Sequence, residues 1–320
     1  MKKEAKKGFP THYTYDLDGT LIDGKSEIKD GVIEMFDEIL KNVKMPVFTI
    51  ASGARVNQID DVMRTINSRL KNGKIKYNVI ANSGSLIRTT SGKTSINPLS
   101  GRDFMDIRKI VKAISPNAVV VYRTMLYDYM DFAENSVQKA LHCAIQKFGP
   151  KFGVEPEEVL EKDILKIARN NEVMNILIMS LNPNDKKKIY NALKNHFGIS
   201  DIFVSDGTAI DVSNFGKKNA LTKRFGLDTV KKMVYVGDGK NDIEMLNTAR
   251  YSFAVGKKLK VISQADYAIT DFRQISDHLF HNKDIAKESE ERINSLKKSF
   301  VKGQIAKLQS VLRNEDEMNL

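Results

Sequence analysis

Between residues 12 and 84, short apolar runs alternate with stretches of helical spacing, and this alternation limits the fold more than any other feature. Residues 12–17 read as a strand. Residues 26–43 place Ile28, Val32, Ile33, Phe36, Ile39 and Leu40 on one helical face, with Ser26 as cap and Glu27 and Asp30 in the first turn. Residues 45–51 are mostly apolar and suit a strand buried on both faces. Residues 54–71 are helical again through Val56, Ile59, Val62, Met63, Ile66 and Leu70, and 77–81 is a third strand closed by Asn82-Ser83-Gly84. Strand, helix, strand, helix, strand is the pattern of a doubly wound α/β parallel sheet. Ligands bind such sheets beyond the carboxyl ends of the strands.

From residue 86 the texture changes. Residues 86–88 read as a strand leaving the sheet. Helices are expected over 104–114, 135–148, 161–168 and 185–197, with stops at Gly149-Pro150 and Gly198. Strands over 118–123 and 126–132 form a hairpin, 173–180 is a strong strand, and 202–204 and 209–212 flank a Ser205-Asp206-Gly207-Thr208 turn. Closely spaced strands mixed with helices point to an inserted α+β module over 86–208. The first texture then resumes, with a helix over 217–225 and strands over 232–236, 251–255 and 266–269. The expected organisation is a core domain of 1–85 and 209–282, an inserted domain of 86–208, and a tail of 283–320. The tail reads as one or two amphipathic helices that pack on the core or on a second copy of the chain in a homodimer. Its glutamates interrupt the lysines, as on a solvated charged face.

Asp16 and Asp18 close the first strand, with Gly19 and Thr20 directly behind them. Alternate strand positions point the same way, so the two acids can share one side. Crowded carboxylates repel unless a cation sits between them or one keeps a proton. Gly237-Asp238-Gly239-Lys240-Asn241-Asp242 repeats this design after the strand at 232–236. Asp-Gly pairs are common turn formers, but two unrelated turns do not explain why both acidic loops follow buried strands. Asp16, Asp18, Asp238 and Asp242 are therefore candidates for one pocket. With no His or Cys cluster the donors are all oxygen, which suits a hard cation, Mg²⁺ best.

The chain has 51 basic and 40 acidic residues, a formal net charge of +11 that draws anions such as phosphorylated metabolites or nucleic acid. It has no tryptophan and so no base-stacking signature, and nucleic acid is not the expected partner. No apolar run approaches the roughly 20 residues that span a bilayer, and the charged start Met1-Lys2-Lys3-Glu4 has no apolar stretch behind it. A cytoplasmic protein without a membrane partner is expected. The lone Cys143 excludes an internal disulfide and reads as a buried structural thiol on a helix face. Arg123 and Lys166 in the inserted module read as surface charge, with contact to a second anionic group of a substrate as the alternative.

Asp16-Leu17-Asp18-Gly19-Thr20-Leu21 resembles motif I of the haloacid dehalogenase (HAD) superfamily phosphatases. Ser52 fits motif II, and Lys217, in Gly216-Lys217-Lys218-Asn219-Ala220-Leu221, fits the motif III lysine. Gly237-Asp238-Gly239-Lys240-Asn241-Asp242 is close to motif IV. The motifs come in the right order, and the wide gap between II and III is where the Cof-type branch inserts its α/β cap, the C2 cap. The resemblance spans 12–280 and implies a Rossmann-like HAD core with that cap. It implies a Mg²⁺-dependent phosphatase of a small phosphorylated metabolite, a sugar phosphate first. Asp16 would be the nucleophile that forms an aspartyl-phosphate, and Asp18 the proton donor and then acceptor. Asp16, Asp238 and the Asp18 carbonyl would hold Mg²⁺, with Asp242 a ligand or directly behind one. Ser52, Gly53, Gly19 and Thr20 would meet the phosphoryl group, Lys217 would neutralise it, and Asn241 would bond to Lys217 or the phosphate.

The chain departs from the family pattern in three places. Ala54 separates Gly53 from Arg55 where Cof-type members carry Thr-Gly-Arg. Lys218 replaces a frequent glycine, and Asn82-Ser83-Gly84 replaces an Asn-Gly pair. Two other functions use the same residues differently. A phosphomutase or phosphotransferase would pass the phosphoryl group to a sugar hydroxyl. A basic nucleic-acid-binding module would keep only a vestigial site, against which the intact set Asp16, Asp18, Ser52, Lys217 and Asp238 stands.

Overall fold

A computed structural model of the chain describes residues 9–125, 127–131, 135–148, 156–170, 172–197, 203–206 and 209–318. The expected stops at Gly149-Pro150 and Gly198, the Gly207-Thr208 half of the turn, and the charged start lie outside the described residues.

Six strands form a parallel sheet: β1 (His12–Tyr15), β2 (Val47–Ala51), β3 (Tyr77–Ala81), and, late in the chain, β12 (Val234–Gly237), β13 (Tyr251–Ala254) and β14 (Tyr267–Ala268). Their order is β14-β13-β12-β1-β2-β3. The chain therefore winds one way from β1 to β3 and the other way from β12 to β14, and the β1–β12 junction is the switch point where such sheets open a crevice. β4 (Leu86–Arg88) and β5 (Thr94–Ile96) extend the sheet antiparallel beyond β3. Residues 86–88 thus stay in this sheet instead of leaving it.

Alternation along the strands sends Tyr13, Tyr15, Phe48 and Ile50 to one face. There they pack under α1 (Val32–Asn42), α2 (Val56–Arg69) and α11 (Arg273–Phe280). Phe36 of α1 meets Tyr15 edge-on at 5.1 Å and Phe48 at 5.5 Å between ring centroids. Such pairs add about 0.5–1.5 kcal/mol beyond the area they bury. Tyr15 directly precedes Asp16, so this cluster fixes the end of β1. The opposite face is covered by α7 (Lys217–Phe225), α8 (Leu227–Val230), α9 (Ile243–Leu246), α10 (Leu259–Ile262) and the start of α12 (Ala286–Met318). The tail is one helix. Ile293 and Leu296 pack on this core, and Ser289 Oγ accepts from the Ala268 N–H at 2.7 Å. Phe300 and Val301 farther along are exposed.

The second sheet has the order β10-β11-β9-β6-β7-β8. Its strands are β6 (Val119–Arg123), β7 (Asp128–Asp131), β8 (Pro156–Val159), β9 (Asn175–Met179), β10 (Phe203–Asp206) and β11 (Ile210–Ser213), antiparallel except for β7 against β8. α3 (Gly101–Ile114), α5 (Glu161–Arg169) and α6 (Pro183–Phe197) bury one face. α4 (Ser136–Phe148) lies against part of the other. By strand pairing this layer takes in β11, and β4 and β5 belong to the larger sheet.

The two passages between the sheets run side by side. Asn214 Nδ2 on the returning passage donates to the Pro98 carbonyl on the outgoing one at 3.1 Å, and Ser85 Oγ, in the turn between β3 and β4, donates to the Met174 carbonyl ahead of β9 at 2.6 Å. Gly84, in the turn between β3 and β4, lies so close to the returning passage that a Cβ there would sit 2.7 Å from the Phe215 carbonyl oxygen.

Two expectations fail for local reasons. The first helix starts at Val32, not Ser26, because Asp23 Oδ1 accepts the Lys25 and Glu27 N–H groups and shapes a turn. Ile22 bridges to both Asp18 and Ile28, and Ser26 has φ +63°. Cys143 is exposed. The buried face of α4 is Gln138, Leu141, His142 and Ile145, so the helical period was right and its phase wrong. His142 Nδ1 lies 2.8 Å from Glu158 Oε1.

Phe36→Ala should cost about 3–5 kcal/mol of unfolding free energy in urea titration, because it empties the junction of α1, β1 and β2. A loss below about 1 kcal/mol would contradict the anchoring role given to this cluster.

Candidate active site

β1, β2 and β12 end side by side and deliver Asp16, Ser52 and Asp238 to one crevice. The Asp16 N–H donates to the Val236 carbonyl at 2.9 Å, which continues the β1–β12 ladder as far as the acid. Lys217, the first residue of α7, reaches in from below. Its Nζ donates to Asp16 Oδ1 at 2.5 Å and to Asp242 Oδ1 at 2.7 Å, and the residue is 2 % exposed. Ligand oxygens of Asp16, Asp238 and Asp242 lie within 4.8 Å of one another.

Asp242 is fully engaged by the protein. Oδ1 also accepts from the Tyr235 hydroxyl at 2.6 Å, and Oδ2 accepts the N–H groups of Asp238 at 3.1 Å and Gly239 at 2.8 Å. It ties the Asp238 loop to Lys217. Gly237 makes room for it, since a Cβ there would lie 2.6 Å from the Asp242 Cγ. Thr20 is buried, and its hydroxyl lies 3.0 Å from Asp16 Oδ2 and 3.3 Å from Asp238 Oδ1. The structure therefore places Thr20 as a brace between two acids. Gly19 has φ +79°, and a Cβ would fall 2.7 Å from the Asp238 carboxylate oxygens. Its carbonyl accepts from Lys29 Nζ. Lys258 Nζ, on an exposed side chain, lies 2.9 Å from Asp238 Oδ2.

Asp18 is exposed on the crevice, and Ser52 Oγ donates to its Oδ2 at 3.2 Å. Gly53 lies at the same wall, with its carbonyl accepting from Arg123 Nη1 at 2.7 Å. Asn241 folds against Gly239, and the bonds described for Lys217 go to the two aspartates. Ser83 Oγ donates to Asp211 Oδ2, and Asn175 Nδ2 donates to Asp211 Oδ1 at 3.0 Å, which adds polar groups from the second sheet.

Sequence reasoning set Arg123 aside as surface charge. It is buried in this junction, not spread on the surface as expected; Lys166 is the one that is exposed. The apolar run Val119-Val120-Val121-Tyr122 ahead of it was the available signal, since such a run suits a strand buried on both faces. Asp128 pairs with it across β7, and Arg55 lies 3.8 Å from that acid.

The electrostatics fit a missing positive charge. Burial, then Asp242 and Asp238, push Asp16 up to about 8 against the pull of Lys217. Burial alone would lower Lys217, but Asp16 and Asp242 more than offset it and hold the ammonium above its ordinary value. The crevice walls around Asp18 strip part of its hydration and raise it, opposed by Ser52, Lys217 and Arg123. An all-oxygen cluster with a carboxylate that resists ionisation suits a hard divalent ion, and Asp16 and Asp238 are its most available side chains.

The chain matches the haloacid dehalogenase-like hydrolase family over residues 13–282. No curated protein matches it. Among solved structures it is similar to a haloacid dehalogenase-like hydrolase from B. subtilis, at 17% identity over 85% of this chain and 99% of that one, with a TM-score of 0.64. It is also similar to the HAD subclass IIB sugar phosphatase BT4131, at 18% identity over 85% and 98% with a TM-score of 0.60. The HAD phosphatase BT1666 from Bacteroides thetaiotaomicron is similar at 18% identity over 88% and 98%, with a TM-score of 0.65. At these identities the likeness is one of fold.

A carboxyl held above its ordinary value keeps its proton better folded than unfolded. Asp16 therefore takes stability away as pH rises from its ordinary 3.8 towards 8, while the contribution of Lys217 is lost only above the ordinary lysine value of 10.5. Mg²⁺ at ~100 times its Kd would stabilise by about 2.7 kcal/mol, and its effect on Tm should be larger at pH 8 than at pH 6. Equal shifts at both values would contradict this account. Gly19→Ala should abolish the Mg²⁺-induced shift, read by the same melts, because its Cβ displaces Asp238.

Proposed function

The chain belongs to the haloacid dehalogenase-like hydrolases, and from that premise we propose that it is a Mg²⁺-dependent phosphatase of a small phosphorylated metabolite. The observation that carries this reading is the convergence of Asp16, Asp238 and Asp242 around Lys217 where parallel strands end. Asp16 attacks phosphorus, the bond to the leaving oxygen breaks, and Asp18 gives that oxygen its proton. Water then attacks the aspartyl-phosphate, Asp18 takes a proton from it, and inorganic phosphate departs with Asp16 restored. A raised Asp18 suits both duties, since it holds a proton to give and is basic enough to take one back. Lys217 keeps its charge throughout and steadies the nucleophile. Ser52 and the Gly53 N–H offer donors to phosphoryl oxygens. Asp16, Asp238 and the Asp18 carbonyl would hold Mg²⁺, whose charge would offset the repulsion between carboxylate and phosphate.

Sugar phosphates are the first substrates to try, in view of the fold shared with the sugar phosphatase BT4131. The net charge of +11 favours anionic substrates in general. Among the described residues no helix is long and apolar enough to cross a membrane. We place the reaction in the cytoplasm, which fits a chain whose single cysteine cannot close an internal disulfide.

A panel of phosphorylated metabolites should release inorganic phosphate only with Mg²⁺. Asp16→Asn should lower kcat by at least about 10³-fold, since it removes the attacking group. Transfer of phosphate to a sugar hydroxyl in preference to water would instead identify a phosphotransferase. Full activity of Asp16→Asn would remove Asp16 from the role of nucleophile.

A further inference from the structure

All of β6 is buried, and Arg123 at its end is 3 % exposed. A buried guanidinium costs several kcal/mol unless its partners compensate. Asp128 Oδ1 lies 3.6 Å from Arg123 Nε, while its Oδ2 lies 3.8 Å from Arg55. Asp211 and Asp18 add negative field. Against this background Nη1 donates to the Gly53 carbonyl at 2.7 Å. The bond runs from the smaller sheet to the loop of the larger one that carries Ser52.

The Gly53 carbonyl and the Ala54 N–H belong to one planar peptide and point in opposite directions. The Ala54 N–H donates to Ser52 Oγ at 3.0 Å, and Ser52 Oγ donates to Asp18 Oδ2 at 3.2 Å. Arg123, the 53–54 peptide, Ser52 and Asp18 are therefore consecutive links of one hydrogen-bond chain. Each donor in such a chain polarises the next. Ala54 fills an acceptor position of the Ser52 oxygen, which leaves the hydroxyl hydrogen to point towards Asp18 and the crevice.

We propose that Arg123 is a positioning residue that, through the Gly53–Ala54 peptide, sets the direction of the Ser52 hydroxyl and holds Asp18 in place for proton transfer. It acts without touching the phosphoryl group. Its effect on turnover rests on the phosphatase reading of the same crevice; its effect on the peptide does not.

Hydrolysis of p-nitrophenyl phosphate with Mg²⁺ tests it in a double-mutant cycle of Arg123→Gln and Ser52→Ala. Arg123→Gln alone should lower kcat about 10- to 100-fold with KM within about threefold. In the Ser52→Ala background the same substitution should change kcat by less than about twofold, because the chain is already cut. Multiplying effects would overturn the proposal. If the glutamine variant does not fold, Arg123→Lys serves in the cycle, with a smaller loss and the same non-additivity. Hydrogen exchange of the Ala54 amide, followed by NMR, needs no turnover. It should speed up about tenfold or more in Arg123→Gln, as expected when a polarising partner worth ~1.4 kcal/mol is lost. An unchanged rate would overturn the proposal. A responsive Ala54 amide in a protein that hydrolyses no phosphomonoester would leave the chain standing and sink the phosphatase reading.

Discussion

A lysine buried between two buried carboxylates holds the crevice together. Lys217 joins Asp16 at the end of β1 to Asp242 beyond β12, two elements that belong to distant parts of the sequence. Breaking such a pair leaves a charge stranded in protein, at a cost of about 3–5 kcal/mol. The remaining bonds are arranged around it. Asp242 spends both oxygens on Lys217, Tyr235 and two backbone N–H groups, which fixes the loop that carries Asp238. Thr20 braces Asp16 from the other side. The result is a rigid set of acids with too little positive charge of their own.

The core was legible because its signals are local. β3 and α7 lie over the residues expected, 77–81 and 217–225, since an apolar run between turn signals and a single apolar face each fix one element. The acidic loops were legible for the same reason, as each follows a buried strand. Elements at the margins were not. β8 reads Pro-Glu-Glu-Val and β5 Thr-Ser-Ile, edge strands with one neighbour each and no apolar alternation to reveal them. α11 went unread as well.

Two misjudged side chains mattered more than any error of boundary. On α4 the face was off by one residue, which exchanged Cys143 for His142. On β6 the apolar run ahead of Arg123 favours burial, yet an arginine at a strand end reads as surface charge unless the strand's partners are known. What buries it is tertiary: Asp128 across the hairpin and the Gly53 carbonyl from another sheet. The fold thus completes its site with a residue whose meaning arises only when two separately readable layers meet.

The contact of Asn214 with Pro98 has a consequence for the assembly of such a chain. The polypeptide leaves the larger sheet after β5 and returns to it after β11 through one narrow neck, where the two passages touch. Ends that lie this close let a segment be spliced in or exchanged with little strain on the rest. The larger sheet keeps its acids and its lysine on its own side of the neck. A segment placed above it meets these acids already held in position, and adds groups of its own, as β6 adds Arg123.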